Sequence, residues 1–272
     1  MSFKVLIIGR YSFIAKNLYD FLIKKNIEVK KVKFEFFKKN YNQFVKSYNF
    51  CINCSINPNY STKKYNLKYD NDFFVADKIK NTKCTQIMLS TRKVYKPGEN
   101  LKENTKIYPN CNYSKNKAIT EKKLIQIFKK KVLILRVGNL IGFISNNRRR
   151  VHRTFIDIFF ENIKKNIVFD NQQNFKDFIS IKKLSEAIFL LMKNGAFGIY
   201  NVSLGKKIFL NEIIDWLNYY NQSKVNIKTL KKNFNTDNFT LNNDKLMKKI
   251  NFKNTVNNLK TECLKISKKN FN

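Results

Sequence analysis

No run of apolar residues in this sequence approaches the roughly 20 that a membrane-spanning helix needs, so no bilayer crossing is expected. The segment from Met1 to Gly9 holds one short apolar stretch closed by a glycine, which suits a buried strand and not a secretory signal. Cysteine is sparse. Five residues without regular spacing make no disulfide framework and fit a reducing compartment, so the expected location is the cytoplasm. Histidine occurs once, as His152, with no cysteines clustered near it, and no metal site is expected. Cys51 and Cys54 have CxxC spacing but fall on an apparent strand, where residues three apart point to opposite faces.

Acidic residues are also few, 19 against 54 Lys plus Arg, giving a formal charge of +35. Such a surface could condense on nucleic acid. The excess is lysine, however, spread over the whole chain beside abundant Asn, Ile, Phe and Tyr. Arginine, the better bidentate phosphate ligand, is scarce. Compositional bias accounts for this pattern better than a polyanion-binding surface does, and nucleic acid is not the expected partner.

What is present is enough apolar residue, 43% of 272, for one large α/β domain with a smaller appendage. Val5 to Ile8 is a continuous apolar run closed by Gly9, as in a parallel strand buried on both faces. Phe13, Ile14, Leu18, Phe21 and Leu22 follow at helical spacing. A second strand over 27–34, a helical stretch around Tyr41 to Val45 and a third strand over 50–55 complete a βαβαβ pattern. Further on, the spacing predicts a helix ending near Lys80, a strand over 86–90, a long helix over 113–129 and a strand over 132–137. The stretch 142–175 reads as irregular apart from a helix over 155–162. Beyond it come a helix over 184–192, a strand over 198–202 and a helix over 211–220 with Trp216. The tail from Asn221 is polar, with weak apolar spacing, and neither a repeat nor a linker is evident.

Gly9-Arg10-Tyr11-Ser12-Phe13-Ile14-Ala15 sits between the first strand and first helix, where a glycine-rich turn offers backbone N–H groups to a pyrophosphate. Ser12 and Ala15 hold two of the three glycine places, and a serine there crowds the phosphates. At the end of the second strand, where an acidic residue usually meets the adenosine ribose, stands Lys33. A cation at that point suits a 2′-phosphate, so between NAD and NADP the latter is slightly favoured.

Tyr113 and Lys117 lie four residues apart at the start of the long helix and therefore on one face. An ammonium beside the phenol is expected to lower its pKa, as a proton-transfer group working with a nicotinamide requires. Ser90 and Thr91 place hydroxyls at the C-terminal end of a parallel strand, where ligands meet open α/β sheets.

With these residues the chain resembles the extended short-chain dehydrogenase/reductase superfamily, the NAD-dependent epimerase/dehydratase group that modifies nucleotide sugars. The landmarks run in order: the Gly9 turn, Cys51 to Ser55 where the family has its fourth strand, Leu89-Ser90-Thr91 with Val94-Tyr95, and Pro109 to Ala118 with Glu121. Leu135 to Gly142, Lys176 to Ser180 and Gly198 to Val202 follow. The resemblance implies a Rossmann-like doubly wound parallel sheet with a small, interleaved, C-terminal substrate-binding subdomain. Residues 1–142, with 176–202 returning, would bind the nicotinamide cofactor; 143–175 and 203–272 would form the subdomain.

It further implies Tyr113 as general acid/base, Lys117 as its partner and ribose ligand, and Thr91 as the hydroxyl bonded to the reacting oxygen. Gly9, Tyr11, Ser12, Phe13, Ile14, Lys33 and Ser55 would line the cofactor, and Asn139 the substrate side. Family dehydratases carry an acid pair after the threonine, where this chain has Arg92 and Lys93, so water elimination is disfavoured. An epimerase or a keto-reductase in surface-polysaccharide sugar synthesis remains. Arg148, Arg149, Arg150 and Arg153 suit the diphosphate of a nucleotide sugar, and His152 among them is a candidate second acid/base. A homodimer is the assembly common in the family. The competing reading is a Rossmann-like NAD(P)-binding or nucleic-acid-associated protein with reduced catalysis.

Overall fold

Strand and helix alternate from the first residues of the chain, and the computed structural model describes residues 3–129, 131–142, 155–164, 174–222 and 237–271. The first half contains β1 (Lys4–Ile8), α1 (Phe13–Ile23), β2 (Glu28–Val32), α2 (Phe34–Asn40), β3 (Phe50–Asn53), α3 (Pro58–Thr62), α4 (Asn71–Ile79) and β4 (Thr85–Thr91). Then come β5 (Gly98–Leu101), α5 (Asn112–Phe128), β6 (Val132–Val137), β7 (Asn139–Ile141) and α6 (Phe155–Lys164). The remainder comprises β8 (Phe175–Lys176), β9 (Phe178–Ser180), α7 (Ile181–Lys193), β10 (Gly198–Val202), β11 (Ile208–Phe209), α8 (Leu210–Asn218), β12 (Phe239–Leu241), α9 (Asp244–Lys249) and α10 (Val256–Phe271).

Six strands form one parallel sheet in the order β10-β6-β4-β3-β1-β2. The two-residue side-chain period sorts the sheet's residues onto two layers of helices. Val5, Ile7, Ile52, Ile87, Leu89, Leu133 and Leu135 face Leu18 and Leu22 of α1 and Leu184, Ile188 and Leu191 of α7. Their neighbours Leu6, Ile8 and Cys51 face Phe37 of α2 and Val75 and Ile79 of α4, while Met88 and Ile134 meet Leu124 of α5. Each such fully buried side chain contributes roughly 1.5–3 kcal/mol. Cys51 and Cys54 do pack on opposite faces of the sheet.

The chain runs outward from β1 to β2, then crosses back to place β3 on the other side of β1. That reversal creates the crevice at which open α/β sheets bind ligands. Among the described residues no strand pairs outside β2, and β3 takes the place next to β1 that the resemblance assigned to a fourth strand. The exposed edge is charged, with Glu28 and Lys30 outward, which discourages further strand addition.

Two local expectations are corrected. The helix expected around Tyr41 to Val45 lies earlier, over Phe34–Asn40, with only a 3-10 turn at Tyr41–Gln43. Glu35 in its first turn and Lys38 and Lys39 in its last complement the helix dipole. Phe34 thereby leaves the second strand, which ends at Val32. The tail also forms more structure than its spacing suggested. β12 pairs in parallel with β5, and Leu259, Cys263 and Ile266 of α10 join a second core with Ile141, Phe159, Phe178, Ile213 and Leu217. Among the described residues no helix is long and apolar enough to cross a membrane.

Candidate active site

At the crevice, the turn after β1 is held by Gly9, whose φ of +98° a side chain rarely adopts. A Cβ at Gly9 would stand 2.6 Å from the backbone nitrogen of Ser55 and 2.8 Å from the carbonyl carbon of Cys54. The N–H groups of Gly9 and Arg10 both donate to the Val32 carbonyl at 2.9 Å, tying the turn to the end of β2. Ser12 is the N-cap of α1, its hydroxyl turned back to accept from the Ala15 N–H. The serine therefore folds onto its own helix. Ala15 is fully buried, as close helix–strand packing requires, and Phe13 and Ile14 pack partly against the same core. Tyr11 is exposed, and the Lys33 ammonium lies 5.4 Å from its ring centroid. The Gly9, Arg10 and Ser12 N–H groups are thus spent within the fold, and what the turn leaves facing the crevice is the N-terminus of an 11-residue helix, the feature that anions favour.

β4 pairs with β3 as far as Met88 and continues to Thr91, which is 8% exposed. The Thr91 and Tyr113 hydroxyls are hydrogen-bonded, and Thr91 also accepts from the Lys93 N–H at 3.2 Å. Tyr113 stands in the first turn of α5, half-buried, and Lys117 follows one turn later with 5% exposure. Thr91, Tyr113 and Lys117 are thus brought together. The expected lowering of the Tyr113 pKa is not what the surroundings produce. Burial pushes it above the usual phenol value; Lys117 pulls down, and Asp72 pushes up.

Asp72, which the sequence reading did not single out, accounts for much of the local chemistry. It is 4% exposed on α4, and its Oδ2 accepts from Lys117 Nζ at 2.9 Å. Its Oδ1 accepts from Asn53 Nδ2 at 2.9 Å, and its backbone carbonyl from Gln86 Nε2 at 2.8 Å. Ser55 in turn donates its hydroxyl to Asn53 Oδ1 at 2.6 Å and accepts from Asn71 Nδ2 at 3.0 Å. A continuous chain of contacts runs from Ser55, beside the Gly9 turn, to Lys117. Desolvation opposes the Lys117 charge, but Asp72 and its neighbours outweigh it and hold the ammonium well above its ordinary pKa.

A second buried network braces α5 from below. Glu121 pairs with Arg136 of β6 at 2.6 Å and accepts from Ser90, while Arg136 also donates to the Tyr95 hydroxyl at 2.8 Å. The Tyr95 hydroxyl in turn donates a hydrogen bond to Asn201 Oδ1 of β10 at 2.9 Å.

Beyond Thr91 opens a cavity of about 270 Å³ lined by Arg92, Lys93, Tyr95, Asn110, Cys111 and Asp237, among others. Arg92 is no free cation: it donates both terminal nitrogens to Asp237 and stacks 3.9 Å over the Phe239 ring. Asp177, in the Lys176–Ser180 landmark, is fully buried and accepts from the N–H groups of Leu204, Gly205 and Leu241. Its carboxylate thus joins β9, the loop after β10 and β12. Asn139 is half-buried at the start of β7, its N–H bonded to the Asp177 carbonyl at 2.9 Å. Arg148, Arg149, Arg150, His152 and Arg153 lie outside the described residues.

Residues 51–203 match the model of a family described as the NAD dependent epimerase/dehydratase family. The chain belongs to that family. The match includes Thr91, Tyr113, Lys117 and Asp177 but begins after the Gly9 turn. Among curated proteins, no sequence match was found. Solved structures share the epimerase/dehydratase fold at low identity. One is the UDP-N-acetylglucosamine 4-epimerase of Methanobrevibacter ruminantium, in complex with UDP-N-acetylmuramic acid (19% identity, TM-score 0.80, 98% of this chain and 97% of that one). Another is the dTDP-glucose 4,6-dehydratase of Bacillus anthracis in complex with NAD (14%, 0.76, 98% and 96%). A third is RMD of Pseudomonas aeruginosa complexed with NADPH (15%, 0.76, 98% and 98%).

Proposed function

We propose that this chain is an NAD(P)-dependent nucleotide-sugar epimerase or keto-reductase whose reacting groups are Thr91, Tyr113 and Lys117. The observation that carries the reading is the hydrogen bond between Thr91, at the end of a central strand, and Tyr113, with buried Lys117 one turn behind. The nicotinamide, when bound, supplies or accepts the hydride. Tyr113 gives a proton to the sugar oxygen, or takes it, as that carbon gains or loses hydride. The Thr91 hydroxyl holds the same oxygen in line. Lys117 provides the fixed positive charge under the phenol. The Gly9 turn borders the pyrophosphate, with Ser12 capping the helix whose N-terminus faces it, and Ser55 borders the crevice opposite.

Dehydration is disfavoured because the two positions after Thr91 hold Arg92 and Lys93, with Arg92 committed to Asp237. The Lys33 ammonium beside the turn supports NADP over NAD, and with it reduction over epimerisation. Arg148 to Arg153 remain the proposed diphosphate ligands, with Asn139 toward the sugar.

The test is Tyr113→Phe in an assay with nucleotide 4-ketosugars and NADPH. Turnover is expected to fall about 10²-fold or more, while NADPH titrated against protein fluorescence binds nearly as before. Undiminished turnover removes Tyr113 from the chemistry. Tightly held NAD in the purified protein marks an epimerase; an empty site that takes NADPH marks a reductase.

A further inference from the structure

A carboxylate and an ammonium, both almost fully buried, meet at 2.9 Å, and both charges act on the Tyr113 phenol. Such a pair is costly to desolvate and is often no more stabilising than an apolar replacement. Its geometry therefore points to a role in the site. We infer that Asp72 is a positioning residue for the Tyr113/Lys117 pair: fastened by Asn53, it holds the Lys117 ammonium and offsets its charge, so that Tyr113 rests as a protonated phenol. The inference deepens the proposed function and rests on its assignment of Tyr113 and Lys117.

The arrangement of charges supports it from every side. Tyr113 is faced by Lys117 from its own helix, Asp72 from α4, the Thr91 hydroxyl from β4 and the Cys111 thiol from the preceding loop. Lys117 is faced by Asp72 and Asp70, by Tyr113, and by the Tyr60 ring 5.6 Å from its Nζ. Asp70 is engaged elsewhere, accepting from Thr120 at 2.6 Å, Tyr65 at 2.9 Å and the Phe73 N–H at 2.9 Å. Asp72 is thus the carboxylate in contact with the ammonium. Cys51, Cys54 and Tyr60 also face Asp72, and burial pushes the ionisation of all three upward. With the two opposite charges paired, burial dominates at Tyr113, and the phenol keeps its proton at neutral pH. The site therefore rests ready to donate. Proton abstraction from an alcohol would gain rate as pH rises, whereas donation to a carbonyl would hold from neutral pH until the phenol titrates.

The experiment reads Tyr113 directly. Alkaline titration of tyrosinate absorbance near 295 nm, wild type minus Tyr113→Phe, isolates its ionisation. The same difference is taken in Asp72→Asn, which keeps shape and loses charge, and in Lys117→Met. The Tyr113 midpoint is expected to fall by about one pH unit or more in Asp72→Asn and to rise in Lys117→Met. An unmoved midpoint in folded Asp72→Asn overturns the inference. Should Asp72→Asn fail to fold by circular dichroism, the double variant Asp72→Leu/Lys117→Met decides. Removing both charges leaves the midpoint near wild type if they offset each other, and raises it as in Lys117→Met if they do not. The titration needs no turnover. A shifted midpoint in a chain inactive toward every nucleotide sugar would sink the proposed function alone, and an unmoved midpoint in an active enzyme this inference alone.

Discussion

Replacing Gly9 by alanine tests whether β1 and β3 really close on each other at the crevice. The new Cβ would lie 2.6 Å from Ser55 N and 2.8 Å from Cys54 C, well inside the ordinary contact distance of 3.4 Å, and both are backbone atoms that cannot rotate away. Two costs add. A φ of +98° strains any L side chain by about 1–2 kcal/mol. Overpacking against fixed backbone costs about 1–3 kcal/mol more. The expected loss is roughly 2–5 kcal/mol, a large part of the 5–15 kcal/mol typical of a folded domain. Gly195→Ala supplies the control. Gly195 also has a positive φ, +54°, yet a Cβ there meets nothing within 4 Å, so only the conformational cost remains, about 1 kcal/mol. Urea unfolding of both variants gives the difference, and NADPH titration adds a second readout. Gly9→Ala should weaken cofactor binding at least tenfold because relief of the clash spreads the turn; Gly195→Ala should not. Equal destabilisation of the two variants would show that the β1–β3 approach is looser than described and would refute the reasoning.

Two further predictions concern the frame around the site. Glu121→Gln leaves the Arg136 guanidinium buried without its carboxylate and should cost about 3–5 kcal/mol in urea unfolding, with Glu121→Leu/Arg136→Met recovering most of it. A loss under 1 kcal/mol would mean the pair is not buried in solution. Asp177 is pushed up to about 6 by burial, against its N–H donors. Unfolded, it titrates near 4, so its contribution to stability is fully present below about pH 4 and is lost as pH rises to about 6, by about 2–3 kcal/mol. Unfolding free energies at pH 4 and 6.5 should therefore fall more for wild type than for Asp177→Asn; parallel losses would reject the shift.

The sheet was readable because its signal is local. Val5 to Ile8, Gln86 to Ser90 and Val132 to Val137 are short, largely apolar runs, each found at an interior strand of the sheet, and Gly198 to Val202 forms the edge strand beside β6. Misplacement was confined to segments whose pattern is decided elsewhere. Phe34 looks like a strand residue, yet the chain leaves the sheet after Val32 and Phe34 opens a helix. β12 is three residues long and has meaning only through β5, some 140 positions earlier in the sequence. The residues of α10 that fill the second core keep helical spacing, but lysine and asparagine between them dilute it below notice.

The site divides along the same line, and the division has a chemical cause. Tyr113 and Lys117 are four residues apart, so their common face follows from helix geometry alone. Asp72 is 45 residues from Lys117, and the only sequence signal that could have found it is an Asp-Asn-Asp cluster in a chain holding just 19 acidic residues. In so basic a protein a carboxylate is a scarce group, and the described ones that are buried are engaged: Asp70 with Thr120, Asp72 with Lys117, Glu121 with Arg136, Asp177 with backbone N–H groups. Lysine is the reverse. Its abundance made Lys117 look ordinary in sequence, yet Lys117 is buried to 5% while its neighbour Lys115 is exposed. A buried ammonium needs a counter-charge more than an exposed one does. In a lysine-rich chain the informative residue is therefore the rare acid facing the buried cation, and here that acid stands one contact from the phenol.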